Sequence, residues 1–316
     1  MTMLAFLYPG QGTQRVGMGR ALSARYPEAV EVFEHVDSML GFSLSDVCFA
    51  GPPDVLLDTK HAQCAVFSCS MAATAVLEAR QVRPQFAAGH SVGVFGALVV
   101  ARAMDLGDAL QAVHQRGALM SALPDTGAMT LVLGLDEVQM GALCDQARGA
   151  DVLDVGLVNA PRQVVISGAS DAVARCGALA SEAGALRVIP LRVSNAFHSG
   201  LMAGAAREWK RLARDLRISP PEIPVALNTT GELTQSPEAI REDLVNQMVH
   251  TVRWADCVTA LARAGATDCV EVGDSKALVA FNRAIEPRFR NFTLADPTAL
   301  DRFRPVAGSL PQRGTA

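Results

Sequence analysis

The sequence predicts an α/β protein in which a parallel sheet, flanked by helices, carries an inserted small subdomain. Short apolar runs alternate with longer helical segments in the first part of the chain and again towards its end. This alternation is typical of a parallel sheet with crossover helices. Between these parts, residues 126–193 read strand, helix, strand, strand, helix, strand. This order is the ferredoxin-like pattern, so we expect a second, smaller unit there.

The large domain is expected in two parts, residues 1–125 and 194–295. Leu4–Tyr8 is an apolar run closed by a Pro-Gly-Gln-Gly turn, which predicts a strand. The other elements predicted for this domain are strands at Phe86–His90, Val225–Leu227 and Asp268–Val272, and helices at Met18–Leu40, Ala62–Arg80, Val94–Ala101, Asp108–Leu123, Met202–Leu216, Arg241–Met248 and Trp254–Ala264.

The small subdomain is expected over residues 126–193. Its predicted strands are Ala128–Leu133, Val155–Val158, Gln163–Ser167 and Leu186–Leu191, and its predicted helices are Asp136–Ala147 and Ser170–Ala183. After Leu294 the sequence becomes polar and contains proline and glycine, so residues 296–316 are predicted to form a loose C-terminal tail.

Composition excludes several classes of protein. Half of the 316 residues are hydrophobic and 19% are charged, which favours a compact enzyme with a large core. The net charge is -4 and no run of Lys or Arg forms a basic stripe, so nucleic-acid binding is not expected. Glycines and polar residues interrupt the most apolar stretch, Phe86–Ala101, which argues against a membrane span. The N-terminus lacks the basic region of a secretory signal, and we expect a cytoplasmic protein.

Cysteine usage points to the same compartment. The seven cysteines are scattered, mostly among apolar neighbours, without a Cys-x-x-Cys pair or a Cys/His cluster at metal-ligand spacing. We interpret them as buried thiols of a cytosolic protein, and we expect neither disulfides nor a metal site.

Residues 89–93, Gly-His-Ser-Val-Gly, fit the G-x-S-x-G pattern of a nucleophile elbow. A serine on a tight turn between a strand and a helix exposes its hydroxyl, and the flanking glycines let neighbouring elements approach. The Val92 N–H would lie at a helix N-terminus, placed to donate to an oxyanion. A chance match in a chain rich in Gly and Ala is the alternative. The strand-like run before Ser91 and the helix-like run after it favour an α/β-hydrolase-like elbow.

A serine nucleophile needs a base, and six histidines are candidates. His90 adjoins Ser91 on the turn, where neighbouring side chains point apart, so it is a poor base for that serine. His198 follows a strand-like run and precedes a helix-like one, which places its imidazole on a loop. From the residues alone, an exposed histidine that caps a helix explains His198 equally well.

Arg116 lies in a predicted helix whose other residues are mainly apolar. It either extends along the helix to solvent, which is the usual case, or points into a cleft and holds a carboxylate with two parallel hydrogen bonds. Composition does not choose between these interpretations.

Five blocks, in this order, resemble the malonyl-CoA:acyl carrier protein transacylases, a family that includes discrete, trans-acting acyltransferases of polyketide synthases. The resemblance covers nearly the whole chain. The blocks are residues 8–14 (YPGQGTQ), 89–93 (GHSVG), 115–120 (QRGALM), 195–202 (NAFHSGLM) and 246–254, in which Asn-Gln-Met precedes Val-Arg-Trp.

The resemblance implies an enzyme that moves a malonyl group from malonyl-CoA to the phosphopantetheine thiol of an acyl carrier protein through an ester on Ser91. His198 would be the base, oriented by backbone and amide oxygens rather than by a carboxylate, with Gln247 nearby. The N–H groups of Gln11 and Val92 would form the oxyanion hole. The resemblance implies no metal or redox cofactor, and we expect a monomer.

Other family roles concern the acyl group. Arg116 would bind the free carboxylate of malonate, and Gln63 would line the site. Phe197 stands in an Ala-Phe-His sequence similar to that of members that prefer malonyl to methylmalonyl, because the ring leaves no space for the extra methyl group. We place His90, beside the nucleophile, with these substrate-binding residues.

The chain departs from the family pattern at three places. Val94 stands where many members carry glutamate, Cys64 stands where proline is usual, and Gly-Asp-Ser at residues 273–275 replaces a Gly-Pro-Gly block. None of these changes removes a catalytic group. Fatty-acid and polyketide pathways both remain open, and the departures favour a trans-acting polyketide enzyme.

Three alternatives share some of these motifs. A hydrolase that removes stalled acyl groups from carrier proteins would use the same elbow but admit water. A malonate decarboxylase subunit would load malonyl onto the carrier of its own complex. A non-catalytic docking module of a synthase would not need the intact set of Ser91, His198, Arg116 and Gln11.

Overall fold

The computed structural model describes residues 2–124, 127–193, 195–295 and 297–303. Its strands are β1 Leu4–Tyr8, β2 Phe86–Gly89, β3 Gly127–Leu133, β4 Leu153–Ala160, β5 Gln163–Ala169, β6 Arg187–Pro190, β7 Val225–Ala226, β8 Leu233–Thr234, β9 Asp268–Glu271 and β10 Arg290–Thr293. Its helices are α1 Arg20–Ser23, α2 Pro27–Leu40, α3 Leu44–Ala50, α4 Pro53–Leu57, α5 Thr59–Ala79, α6 Val94–Val100, α7 Leu106–Ser121, α8 Glu137–Arg148, α9 Ser170–Glu182, α10 Ala203–Asp215, α11 Pro237–Asn246, α12 Trp254–Arg263, α13 Ala277–Ile285 and α14 Pro297–Arg302.

A six-stranded sheet in the order β10-β9-β1-β2-β7-β8 forms the centre of the larger unit. The first five of these strands run parallel, and β8 pairs antiparallel with β7. All five residues of β1 are buried, as expected for a parallel strand whose two faces are covered. The predicted α/β class with a parallel sheet and flanking helices is therefore confirmed.

Helix α5 is the central helix of this unit and packs against α2 and α7. Among the described residues it is the one helix whose length and composition would allow it to cross a membrane. However, 83% of its most apolar stretch is buried inside the protein. We therefore interpret α5 as a core helix. All seven cysteines are buried and unpaired, which confirms the prediction of buried thiols.

A second, four-stranded antiparallel sheet has the order β4-β5-β3-β6, and its elements follow one another along the chain as predicted, β-α-β-β-α-β. Helices α8 and α9 pack against each other and against this sheet. The apolar residues between them, such as Val132, Met140 and Ile166, form a separate small core. Thr126 and Ser194, where this unit was predicted to begin and the large domain to resume, lie outside the described residues.

The two units are joined near the middle of β4. The Val158 N–H donates to the carbonyl of Val252 (2.9 Å), and the Val252 N–H donates to the carbonyl of Gly156 (2.9 Å). Arg253 then reaches back to Glu137, with 2.9 Å between Nη1 and Oε1. This junction brings the small sheet next to the carboxyl ends of the parallel strands.

Some elements differ from prediction. The helix predicted over Met18–Leu40 is divided into α1 and α2 because Pro27 occupies the first turn of a new helix. The helix predicted at Arg241–Met248 begins earlier, at Pro237, where the Ser236 hydroxyl accepts a hydrogen bond from the Ala239 N–H. Strands β8 and β10 and helices α3, α4 and α13 were not predicted.

The prediction of a loose tail from residue 296 onward is wrong for residues 297–303. Residues 297–302 form α14, and both Leu300 and Phe303 are buried. The rings of Phe303 and Phe292 pack edge to face with 5.3 Å between their centroids. Burial of these two apolar side chains favours the packing of this segment on the core. Residues 304–316 lie outside the described residues.

Candidate active site

Ser91 occupies the sharp turn that follows β2. It begins a short 3-10 turn, Ser91–Gly93, that leads into α6, and its φ of 52° lies in the left-handed region that strains a non-glycine residue. A Cβ on Gly89 would stand 2.0 Å from the backbone carbon of Gly93, and one on Gly93 would stand 2.2 Å from the carbonyl oxygen of Tyr8. Only glycine fits at either position, which is the steric reason for the motif.

His198 lies against the Ser91 hydroxyl. Its Nε2 is 2.8 Å from Ser91 Oγ, and its Nδ1 is 2.8 Å from the backbone oxygen of Gln247. A carbonyl oxygen only accepts, so Nδ1 carries the hydrogen and Nε2 presents its lone pair to the hydroxyl. His198 is buried, which excludes an exposed capping histidine. The loop after β6 thus places a base within reach of a serine.

The surroundings of His198 keep its imidazole neutral. Burial lowers the pKa of His198 to about 3, and the positive charge of Arg116 acts in the same direction. A neutral imidazole whose unprotonated nitrogen faces the serine hydroxyl is able to accept that proton near pH 7.

Arg116 is also buried, 1% exposed, and its guanidinium faces the serine. Its Nη1 donates to Gln63 Oε1 (2.8 Å), and its Nη2 donates to Gln247 Oε1 (3.0 Å) and to Ser91 Oγ (3.2 Å). Burial lowers the pKa of Arg116 to about 10, so it remains charged near pH 7. Among the described residues no carboxylate pairs with it, and its Nε has no partner. The Arg116 side chain therefore does not extend along the helix to solvent.

The glutamines form a connected network around this cation. Gln63 Nε2 donates to Gln11 Oε1 (3.2 Å), and Gln11 Nε2 donates to Thr59 Oγ1 (3.2 Å). Gln247 Nε2 points to the backbone oxygen of Ser91 (3.3 Å). Gln11, Gln63 and Gln247 therefore lie together beside Arg116 and Ser91, where the family resemblance implied that they would be.

A cavity of about 250 Å³ opens at Ser91. Gln11, Gln63 and His198 line its polar side. The apolar side is built from both units and consists of Met120, Met129, Leu157, Leu191, Val193 and Phe197. Arg192 lines the cavity as well. The buried guanidinium of Arg116 reaches the same serine, with 3.2 Å between Nη2 and Ser91 Oγ.

His90 also lines the cavity, but its ring is engaged elsewhere. Its Nε2 lies 2.8 Å from Oδ1 of Asn159 on β4, and its centroid lies 5.6 Å from that of Trp254. Burial lowers the pKa of His90 as well. As predicted, His90 is not placed to act as the base for Ser91, and it connects the elbow to the small unit.

Val92 follows Ser91 in the turn, and its side chain is buried. The Ser91 N–H is taken by the side chain of Asn228, with 2.8 Å between N and Oδ1, so it does not serve as an oxyanion donor. The Val92 N–H, at the start of the helical segment, is the elbow's other candidate.

Sequence reasoning missed Asn228 and the role of Asn159. Both contact the elbow through one side-chain amide, and neither lies in a motif with a catalytic signature. Asn159 was noticed only as part of an Asn-Ala-Pro sequence that resembles the family. The sole indication for Asn228 is a polar residue directly after a short buried strand.

The chain is similar to known proteins over most of its length. The model of the "Acyl transferase domain" family matches residues 5–282. A malonyl CoA-acyl carrier protein transacylase of Bacillus subtilis is 34% identical over 304 residues, which cover 95% of this chain and 96% of that protein. The polyketide biosynthesis malonyl CoA-acyl carrier protein transacylase PksC of the same organism is 34% identical, covering 87% and 94% of the two chains.

The fold is shared with solved structures. A malonyl-transacylase in complex with a type II polyketide synthase acyl carrier protein superposes with a TM-score of 0.92 at 32% identity, covering 95% of this chain and 98% of that one. Family, fold and the arrangement around Ser91 agree, and the chain belongs to the acyl transferase family that includes the malonyl-CoA:acyl carrier protein transacylases.

Proposed function

We propose that this protein moves a malonyl group from malonyl-CoA to the phosphopantetheine thiol of an acyl carrier protein through an ester on Ser91. One observation carries the proposal. The Ser91 hydroxyl lies 2.8 Å from His198 Nε2 and 3.2 Å from Arg116 Nη2. A base for the serine proton and a cation for the free carboxylate of the malonyl group thus lie beside the same oxygen.

In the first half of the reaction, His198 Nε2 accepts the Ser91 proton while Oγ attacks the thioester carbonyl. The N–H groups of Gln11 and Val92 stabilise the oxyanion, and loss of one such donor typically costs about 100- to 1000-fold in rate. The carbon–sulfur bond then breaks, and His198 returns the proton to the sulfur of coenzyme A.

The second half runs in reverse with a new thiol. The phosphopantetheine thiol gives its proton to His198 and attacks the Ser91 ester, and Ser91 Oγ recovers that proton as it leaves. One thioester replaces another, so the overall free-energy change is close to zero. These steps balance with a serine and a histidine, and the proposal therefore includes no metal or redox cofactor.

Arg116 provides the selectivity. The malonyl carboxylate accepts two hydrogen bonds from the guanidinium. These replace the hydrogen bonds that the guanidinium donates to Gln63 and Gln247 in the free protein. An acetyl group offers no such acceptor, so the cation is left to the weaker amide dipoles. Phe197 closes the apolar side of the cavity against a methyl branch.

We also propose a division into domains, a cellular location and an oligomeric state. We assign residues 1–125 and 194–295 to an α/β-hydrolase-like domain, supported by the elbow after a central parallel strand. We assign residues 126–193 to a ferredoxin-like subdomain, supported by its strand order. We also propose that the protein is a monomer and that it is cytoplasmic. The seven buried free cysteines support the cytoplasmic location.

The test is a product assay with malonyl-, methylmalonyl- and acetyl-CoA and with fatty-acid and polyketide carrier proteins as acceptors. We expect malonyl-carrier as the main product, and the preferred carrier will indicate the pathway. Ser91→Ala should abolish transfer, whereas Ser68→Ala, which removes a hydroxyl bonded to the Cys64 carbonyl on α5, should retain it. Free malonate as the main product would favour the hydrolase and overturn the proposal.

A further inference from the structure

We infer that Asn228 is a positioning residue that fixes the backbone leading into the nucleophile, at the peptide groups before and after His90. The inference rests on the proposed role of Ser91. Asn228 is fully buried. Its Oδ1 accepts a hydrogen bond from the Ser91 N–H (2.8 Å), and its Nδ2 donates to the carbonyl of Gly89 (2.9 Å).

The position of Asn228 in the sheet explains why a side chain performs this task. Strand β7 pairs with β2 only through Val225 and Ala226, and the last backbone pair joins Ala226 to Ala88. Beyond that pair, β2 turns into the elbow and a backbone partner is no longer in register. The amide of Asn228 offers one acceptor and one donor, as a backbone peptide does, and extends the pairing across the turn.

This pairing meets a specific need. Ser91 is held at a φ of 52°, and a strained residue keeps such a conformation only when its surroundings determine it. The two bonds of Asn228 hold the peptide groups before and after His90, so they fix the chain that leads into the strained residue. They also direct the Ser91 N–H away from the cavity, so that the following N–H, that of Val92, is left for the oxyanion.

The loop that carries Asn228 is itself anchored by a buried carboxylate. Asp243 Oδ1 accepts from the Thr229 N–H (2.7 Å) and from the Thr229 hydroxyl (2.8 Å). Asp243 lies on α11, and one turn further along the chain the carbonyl of Gln247 accepts from His198 Nδ1. The same segment therefore fixes the loop behind the nucleophile and the ring of the base.

The expected effect separates kcat from KM. In Asn228→Ala the elbow loses both bonds, and a displacement of Ser91 Oγ by about 1 Å lowers kcat for malonyl transfer about 100-fold. The KM for malonyl-CoA should change little, because within the described part of the chain the hydrogen bonds of Asn228 go to Ser91, Gly89 and Arg253 and not to Arg116 or its glutamine partners. Asn228→Asp keeps an acceptor for the Ser91 N–H but loses the donor to Gly89, so its rate should lie between those of Asn228→Ala and the wild type.

The experiment measures single-turnover acylation of Ser91 by malonyl-CoA, with steady-state kcat and KM, in the full chain. Asn282→Ala is the matched control, because Asn282 is also a fully buried asparagine, bonded through Nδ2 to Asn291 (2.9 Å) outside the site. Thermal unfolding of all variants separates loss of fold from loss of rate. If Asn228→Ala does not fold, Asn228→Asp decides the question.

A large fall in kcat at unchanged KM for the Asn228 variants, with Asn282→Ala close to wild type, supports the inference. Acylation at the wild-type rate in a folded Asn228 variant overturns it. An equal fall in kcat for Asn282→Ala also overturns it, because the effect is then general to buried asparagines. If wild-type Ser91 is not acylated at all, the proposed function itself fails, and that result is distinct from the others.

Discussion

The two sheets of this protein meet at one cavity but supply different parts of it. The parallel sheet contributes polar groups, namely Ser91 after β2 and Gln11 after β1, and helix α7 adds the charged Arg116. The antiparallel sheet contributes mainly apolar wall, from Met129 and Leu157, together with Leu191 just beyond β6, and Arg192 follows as a charged residue at the same edge of the cavity. Changes on the first side should therefore alter the rate and the preference for a charged acyl group, and changes on the second should alter the size of the acyl group that fits.

The difference has a physical basis. Polar groups act over hydrogen-bond distances, and a misplacement of about 1 Å is expensive for them, so they are held by buried bonds such as that between Arg116 and Gln63. Apolar contacts have no direction and tolerate changes of volume at a cost of about 1–3 kcal/mol per methylene group. Rigid polar positioning around the serine is thus provided by the larger unit, whereas the adaptable apolar wall comes from both units.

The largest effect is expected on the polar side. Arg116→Ala removes the cation that pairs with the malonyl carboxylate, so kcat/KM for malonyl-CoA should fall by about 10⁴-fold, while that for acetyl-CoA changes far less. Arg102→Ala is the control, because Arg102 forms an exposed ion pair with Glu78 (2.8 Å) away from the site. Unchanged preference for malonyl over acetyl in Arg116→Ala would contradict the assignment.

On the apolar side, Phe197→Ala should open space for a methyl branch. We expect the ratio of kcat/KM for methylmalonyl-CoA to that for malonyl-CoA to rise by about 10- to 200-fold. A competition assay with both thioesters measures this ratio directly. Phe292→Ala, which removes a partly exposed ring on β10, should leave the ratio as it is in the wild type. A ratio that does not change in Phe197→Ala would show that another residue sets the size limit.

A pH profile tests the electrostatic side without mutation. Burial lowers the pKa of His198 to about 3, so the imidazole stays neutral and kcat/KM should hold nearly constant as the pH falls towards 5. A histidine with the ordinary pKa of about 6.5 would lose about 30-fold by that pH. Single-turnover acylation measures the profile, with circular dichroism to verify that the protein remains folded. An acid limb centred near pH 6.5 would contradict the burial of this ring.

Malonyl binding should shift that profile in a known direction. The bound carboxylate neutralises Arg116, which is the second cause of the low His198 pKa after burial. The acid limb of kcat, which reports the enzyme–substrate complex, should therefore lie at higher pH than that of kcat/KM, which reports the free enzyme. The same limb for both parameters would mean that Arg116 and the carboxylate do not meet.

The smallest effect is expected at the junction between the units. Glu137→Gln removes the ion pair with Arg253, which is partly exposed, so the free energy of unfolding should fall by less than about 1 kcal/mol. Acyl-group selectivity should not change. Urea unfolding measures the first quantity and the thioester competition the second. A change in selectivity would show that the shape of the cavity depends on this ion pair. The polar and apolar sides of the cavity would then not be independent.

Sequence reasoning performed best where a motif reflects a steric requirement. The elbow glycines, Ser91 and the parallel strand before them follow from local rules, because a Cβ at Gly89 or Gly93 would collide with backbone. His198 and Arg116 left two interpretations open from their residues alone, since only the fold shows that both side chains are buried beside the serine. The family resemblance was needed to choose between them.

What sequence reasoning missed depends on long-range contacts. Asn228 acts on backbone atoms of the elbow more than a hundred positions earlier in the chain, and no pattern near Asn228 predicts that register. The segment that contains Phe303 was interpreted as part of a loose tail, because most of the residues around Leu300 and Phe303 in the sequence are polar. Short strands such as β8 and β10 give too little periodicity to be detected.

The central claim is that Ser91 carries the acyl group in transit. The direct measurement is mass spectrometry of the protein after a brief incubation with malonyl-CoA and proteolytic digestion, followed by addition of the carrier protein. The account predicts malonyl on Ser91 alone, lost when the carrier thiol is added and absent from Ser91→Ala. Malonyl on a different residue, or a Ser91 ester that the carrier does not discharge, would contradict it.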